Sequence, residues 1–266
     1  MASERTLVVD IGNTEITAGI TSEDGVSFSP RFRLNNNSGT TADELGLSLR
    51  LMLKEHNVEI SSITGVATAS VVPSTLQSFQ EASRKYLNHD PFVLTAATAY
   101  GISINYKNPN EVGADRLANT LAAQDMFPGE NCIVVDFGTA ITFDVIRADA
   151  TYLGGIILPG PRLAMESLFQ RTAKLPAVAI VRPPSIVGDS TVEGIQSGLY
   201  FGTIHAVSGC IKQISTEIFT THETVLTIGT GGFSALFERE GLFHKTKPDL
   251  VLHGIITAYK KHKLQT

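Results

Sequence analysis

The sequence predicts an α/β protein built from two similar halves, each a mixed β-sheet covered by helices, with a cleft between them. Three observations predict it. One phrase occurs twice, as Val8-Val9-Asp10-Ile11-Gly12-Asn13-Thr14 and as Val134-Val135-Asp136-Phe137-Gly138-Thr139. Each copy is an apolar strand pattern that stops at a tight turn and is followed by a second β-rich run, Ile16–Ile20 or Ile141–Ile146. The order of elements behind each copy also repeats, and that order is independent of the motif residues.

In the first half, strands are expected at Leu7–Asp10, Ile16–Ile20 and Val26–Leu34. Thr41-Ala42-Asp43-Glu44 has the form of a capping box, and Leu45, Leu49, Met52 and Leu53 follow at helical spacing. A strand at Ile63–Ala67 comes next. A second helix should start after Pro73, with Leu76, Phe79, Ser83, Tyr86 and Leu87 along one side, and a fifth strand at Phe92–Thr95. The second half begins with strands at Ile133–Asp136, Thr142–Ile146 and Tyr152–Leu158. Pro159-Gly160-Pro161 opens a helix carrying Leu163, Ser167 and Leu168. Ser190-Thr191-Val192-Glu193 has the form of another capping box, and its helix should run to about Phe219. Val225–Ile228 is a strand and Leu250–Tyr259 a terminal helix. The halves are expected to divide as residues 1–117 and 118–266.

The turns carry the chemistry. A glycine lets backbone approach a phosphate closely, turn amides and a threonine hydroxyl donate hydrogen bonds, and an aspartate can hold a cation or its water. Asp10 and Asp136 could each merely cap their own turn, but the duplication, with Thr14 and Thr139 beside them, favours phosphate and cation. Thr227-Ile228-Gly229-Thr230-Gly231-Gly232 is a third glycine turn after an apolar strand. It lacks the lysine of a P-loop and the final glycine of a dinucleotide fingerprint, and suits close approach to adenosine or its phosphates. Glu111-Val112-Gly113-Ala114-Asp115-Arg116 leads into a helix. Asp115 in its first turn is read as the partner of an acceptor hydroxyl, kept ionised by helix-terminal amides, and Arg116 as the holder of an anionic group. The pattern points to a nucleotide-using phosphotransferase.

Composition narrows the classes. A net charge of -5 gives no pull toward nucleic acid or an anionic membrane. No apolar stretch reaches the ~18 residues of a membrane span, and the N-terminus has no signal-peptide core. Cys132 and Cys210 offer neither metal spacing nor a disulfide framework, which suits a reducing cytoplasm. Asn36-Asn37-Ser38 matches a glycosylation acceptor without meaning in that setting. Gly194, Gly198 and Gly202 fall on one helix face, for close packing either within the chain or against a second subunit.

Taken in order, these motifs resemble those of the type III pantothenate kinases, of the acetate and sugar kinase/Hsp70/actin superfamily, over nearly the whole chain. Asp10-Ile11-Gly12-Asn13-Thr14 resembles the family's first phosphate motif, Gly113-Ala114-Asp115-Arg116 its acceptor motif and Asp136-Phe137-Gly138-Thr139 its second phosphate motif. Gly154-Gly155, Pro159-Gly160 and Thr230-Gly231-Gly232 follow in the family's order. The resemblance implies duplicated ribonuclease H-like, actin-like ATPase domains and ATP-dependent phosphorylation of pantothenate, the first step of coenzyme A synthesis. It implies that Asp115 accepts the proton of pantothenate's primary hydroxyl, in a pocket with Tyr106, Gly113, Ala114 and Arg116. Asp10, Ile11, Gly12, Asn13, Thr14, Glu15, Ile16 and Thr17, with Thr139, Gly231 and Gly232, would bind ATP. Asp136 would help hold a monovalent cation, K+ or NH4+, alongside Mg2+. Thr191 would reach the pantothenate of a neighbouring subunit, which implies a homodimer with the glycine face at or near its interface. Asn35-Asn36-Asn37 and Asn108-Pro109-Asn110 look variable and carry no role. A sugar or acetate kinase, and a non-catalytic ATP-binding regulator, stand as alternatives.

Overall fold

The structure, a computed structural model, describes residues 5–22, 27–37 and 39–265. Val26, the expected start of the third strand, and Ser38 of the Asn-x-Ser triplet lie outside the described residues, as do residues 1–4. The chain divides into two units. The first comprises residues 1–126 and 250–266, the second residues 127–249.

The first unit holds strands β1 (Arg5–Ile11), β2 (Glu15–Thr21), β3 (Phe28–Asn35), β4 (Ile63–Ser70) and β5 (Phe92–Val93) in one sheet, in the order β3-β2-β1-β4-β5. β1 and β2 form the expected hairpin, with Ile11 opposite Ile16, while β4 runs parallel to β1, with Ser70 opposite Ile11. A further two-residue strand, β6, covers Ser103–Ile104. Leu7, Val9 and Ile11 face helices α1 (Ala42–Glu55) and α2 (Pro73–Ala82), burying Leu45, Leu49, Leu53 and Phe79 against the sheet. The capping box of α1 is formed: Glu44 N donates to Thr41 Oγ1 (3.2 Å) and Thr41 N to Glu44 Oε2 (2.9 Å). The second helix reaches Leu87, as its apolar spacing suggested, though not as α-helix throughout. After Ala82 it widens into a π turn, Ser83–Leu87, and stops at Asn88, whose left-handed backbone (φ 61) ends it.

Helices α3 (Ala114–Met126) and α7 (Leu250–Lys263) pack against one another and belong to this same unit. The division by contacts differs from the one expected at residue 117. α3 runs through that point, and the C-terminal helix returns to the first unit. The physical reason is the closeness of the pair: a Cβ at Gly254 would run into the Ala118 carbonyl, so only glycine lets α7 seat on α3.

The second unit repeats the topology. Its strands β7 (Asn131–Phe137), β8 (Ala140–Ile146), β9 (Thr151–Pro159), β10 (Val225–Thr230) and β11 (Lys245–Thr246) run in the order β9-β8-β7-β10-β11. Again the first three are antiparallel, and β10 runs parallel to the central strand β7. Ile133, Val135, Phe137 and Phe143 pack against Tyr200, Ile204 and Val207 of α5 (Thr191–Ile218) and against Phe237. The shorter α4 is Pro161–Arg171, and α6 is a single turn, Ser234–Phe237. The expected capping box of α5 is only half made. Ser190 Oγ accepts from Glu193 N (3.3 Å), but Glu193 Oε2 accepts from Asp189 N (3.3 Å), not from the N-cap residue itself. No helix among the described residues is long and apolar enough to cross a membrane.

Overpacking against a backbone carbonyl cannot be relieved by a rotamer change. Gly254→Ala is expected to lower unfolding stability by about 2–3 kcal/mol in urea titration, the upper part of the range for overpacked sites. A neutral result would show that α7 docks more loosely than described.

Candidate active site

In the first unit the Asp10 turn is held from outside its own hairpin. Gly12 N donates to Glu15 O (3.0 Å), which closes the turn, and Asn36 then clasps it. Asn36 Nδ2 donates to Gly12 O (2.6 Å), Asn36 N to Thr14 O (2.9 Å), and Thr75 Oγ1 to Asn36 Oδ1 (3.0 Å). Sequence reading set Asn36 aside as variable. In the structure it fixes the backbone of the first phosphate motif, and its only sequence signal was an amide side chain just past a strand end. Asn13 and Thr14 are exposed at the tip, while Asp10, Gly12 and Thr17 are half-buried. Ile11 and Ile16 point into the core, so only their backbone faces a ligand, and Glu15 pairs with Arg33 (3.5 Å).

The acceptor motif sits at the same end of this sheet. Val71 N, just beyond β4, donates to Ile11 O (3.1 Å), and Val71 Cγ1 would lie 3.6 Å from a Cβ at Gly113. That same Cβ would lie 2.5 Å from Asp115 Oδ1, so glycine at 113 is what leaves the carboxylate room. Arg116 N donates to Asp115 Oδ1 (2.8 Å), and the Arg116 side chain is buried beside it. Desolvation pushes the Asp115 carboxyl above the ordinary aspartate range, outweighing the Arg116 amide and the Arg116 charge, which pull it down. The expectation that helix-terminal amides hold this group low is thus corrected: the backbone amides of Arg116 and of Asp115 itself do not offset burial. A raised carboxyl is the better proton acceptor. Tyr106 is 40% exposed on the loop that leads toward α3.

In the second unit, Asp136 faces the third glycine turn. Gly231 has a left-handed backbone (φ +87), and a Cβ there would strike Asp136 Oδ1 and come within 2.6 Å of Phe137 N. Thr230 stands opposite Asp136 in the parallel ladder, and its buried hydroxyl has no hydrogen-bond partner among the described residues. A buried polar atom of this kind is normally satisfied by water, an ion or a ligand. Gly138 and Thr139 are exposed at the turn, where Gly138 N donates to Ala140 O (3.0 Å) and Gly160 N to Thr139 O (3.0 Å). The second unit thus gathers Asp136, Thr139, Gly231 and Gly232 at one end of its sheet.

Thr191 lies elsewhere in this unit, exposed on the first turn of α5. It borders an open apolar groove of about 920 Å³ between α4 and α5, lined among others by Leu163, Leu168, Gly194 and Gly198. Among the described residues, nothing beyond the neighbouring backbone of α5 itself lies within 4 Å of where a Cβ would stand at Gly194, Gly198 or Gly202. Of the two readings of the glycine face, packing within the chain is therefore not what the described residues do.

A family model described as type III pantothenate kinase matches residues 6–213. The chain is 46% identical over 249 residues to a protein named type III pantothenate kinase from Legionella pneumophila (strain Corby), covering 94% of this chain and 96% of that one. It is 40% identical over 255 residues to type III pantothenate kinase 1 of Francisella tularensis subsp. holarctica (strain OSU18), covering 96% and 98%. Among solved structures, the (R)-2-hydroxyglutaryl-CoA dehydratase component A of Acidaminococcus fermentans superposes with a TM-score of 0.53 at 15% identity, over 98% of this chain and 100% of that one. At such identity the likeness is one of fold, and that fold is the actin-like ATPase fold expected above.

Two outcomes follow from the geometry. The fold favours the neutral form of Asp115, so its stabilising contribution is complete below the ordinary carboxylate pKa and is lost as pH rises through the raised one. Above that raised pKa the chain carries a desolvated charge, and there Asp115→Asn is expected to unfold in urea at or above the wild-type midpoint. A large loss of stability would make the carboxylate a structural cap instead. Asn36→Ala is expected to weaken nucleotide binding by roughly tenfold, about the worth of one well-made hydrogen bond, which isothermal titration with ADP would read.

Proposed function

This chain belongs to the type III pantothenate kinase family and phosphorylates pantothenate with ATP, giving 4′-phosphopantothenate in the first step of coenzyme A biosynthesis; from that premise we propose that Asp115 is the group that receives the hydroxyl proton. The observation that carries this reading is a desolvated carboxylate, given room by Gly113, at the sheet end that also carries the Asp10–Thr14 turn. The pantothenate hydroxyl oxygen attacks the γ-phosphorus, its proton passes to Asp115, and the bond to the ADP oxygen breaks. In a loose phosphoryl-transfer transition state, orientation of the hydroxyl matters more than strong basicity. Arg116, buried beside Asp115, suits the pantothenate carboxylate through a charge-assisted pair, with Tyr106, Gly113 and Ala114 around it.

The Asp10–Thr17 turn and Thr139 present amides and hydroxyls suited to phosphates, and Gly231 and Gly232 allow the close approach that adenosine needs. Asp136 fits a monovalent cation, K+ or NH4+, because the unpartnered Thr230 hydroxyl opposite it adds an oxygen donor to its carboxylate. Among the described residues no group of three or more His, Cys, Asp or Glu could hold a metal. Mg2+ would then be carried largely by the nucleotide's phosphates and water, as is usual for that ion. These cations, when bound, neutralise charge on the transferring phosphoryl group.

The reading extends to a homodimer. The uncovered glycine face of α5, the groove beside it, and the exposed Leu163, Leu168 and Phe169 of α4 suit a second copy, with Thr191 reaching that copy's pantothenate. It also assigns the enzyme to the cytoplasm, where its two cysteines, free in this fold, stay reduced.

ADP release with pantothenate as acceptor tests the reaction. Turnover is expected in potassium buffer, much less in sodium buffer, and to fall at least a hundredfold in Asp115→Asn, the usual span for loss of an acid–base group. Tight ATP binding without turnover on pantothenate would move the reading to an ATP-binding regulator. Sedimentation tests the dimer: Gly198→Leu is expected to yield monomers of unchanged helicity, and a monomeric wild type would overturn the assembly.

A further inference from the structure

Arg162 has no place in the motifs above, yet it stands where the two glycine turns of the second unit meet. It lies in the first turn of α4, whose N-cap residue, Gly160, donates its backbone N–H to Thr139 O (3.0 Å). A Cβ at Gly160 would lie 2.5 Å from both the Gly138 and Thr139 carbonyl oxygens, so the start of this helix rests directly on the second phosphate turn. The Arg162 guanidinium lies 5.9 Å from the centre of the Phe233 ring. Phe233 follows Gly231-Gly232 and donates its N–H to Phe137 O (3.3 Å), which ties it back to the Asp136 strand. Arg162 thereby starts two residues from the contact with residues 138–139, and its side chain lies against Phe233, next to Gly231-Gly232.

Its electrostatic setting is unusual for a structural arginine. A cation in the first turn of a helix opposes the helix dipole. No ion pair joins Arg162 to a carboxylate among the described residues, and the side chain is exposed. The ring contact steers the guanidinium without neutralising it. An anion arriving at the two turns would reverse the balance, since helix end, turn amides and guanidinium would all attract it. The planar fork of arginine matches a phosphoryl group in two hydrogen bonds.

Resting on the nucleotide reading given above, we propose that Arg162 binds the polyphosphate of ATP where it passes between the second phosphate turn and the third glycine turn, with Phe233 orienting the guanidinium. The role is one of nucleotide binding, separate from proton transfer at Asp115.

The test compares wild type, Arg162→Gln and Arg162→Lys for the KM of ATP and of pantothenate, for inhibition by ADP and by adenosine, and for thermal unfolding. Arg162→Gln is expected to raise the ATP KM and the ADP inhibition constant about tenfold, the usual worth of a charge-assisted contact. The adenosine inhibition constant, the pantothenate KM and the melting temperature should stay unchanged, and Arg162→Lys should recover part of the loss. Equal weakening of ADP and adenosine would overturn the proposal in favour of a structural role through Phe233, and so would an unchanged ATP KM. A wild type that neither binds ATP nor phosphorylates pantothenate would overturn the underlying reading, whatever Arg162 does.

Discussion

In each unit the candidate residues depend on where a central strand stops. In each unit one strand is antiparallel to its hairpin partner on one side and parallel to a later strand on the other. At its carboxyl end the hairpin partner must turn straight back, while the parallel neighbour must leave the sheet. Two turns are thereby forced to lie side by side, with backbone groups that have run out of ladder partners. A buried polar backbone group without a partner is costly, so the turns are tied together: Val71 N to Ile11 O in the first unit and Phe233 N to Phe137 O in the second. The amides and hydroxyls left at the tips are the ones available to phosphate. Glycine is required where the two turns touch, as at Gly231 against Asp136.

Much of this was legible in the sequence, because the signals were local. A strand ending in Asp-x-Gly, a Thr41 capping box and a glycine before Asp115 each express a preference over a few residues. What escaped was tertiary. Asn36 acts on Gly12, 24 residues away, through a side-chain amide that no periodicity marks. The π turn that follows α2 has no mark in the apolar spacing, and the cap of α5 depended on which of two neighbouring amides Glu193 would choose. The return of α7 to the first unit hangs on the absent side chain of Gly254, whose partner is a carbonyl more than a hundred residues earlier in the chain.

Asp115 shows how magnitude decides between opposing local and global effects. Its position in the first turn of a helix argues for a low pKa, and the hydrogen bond from Arg116 N is present as that argument requires. Burial beside Gly113 acts on the same carboxylate in the opposite direction and prevails. The helix start therefore orients the group, while the surroundings set its basicity. Gly113 serves both, since it opens space for the carboxylate and brings the motif against Val71 at the end of the sheet.

The pairing of α3 with α7 means that the whole second unit is an excursion between two helices of the first. During synthesis the chain makes the first sheet early, yet the helix that completes its cover follows only after the whole second unit. The unit that begins before the other must then be completed after it, with the second free to fold in the interval. A nascent chain halted just before residue 250 would leave an uncovered face on β1 and β4 and an intact second unit attached to it. Loss of α7 would thus be felt most by the part of the chain made before the second unit.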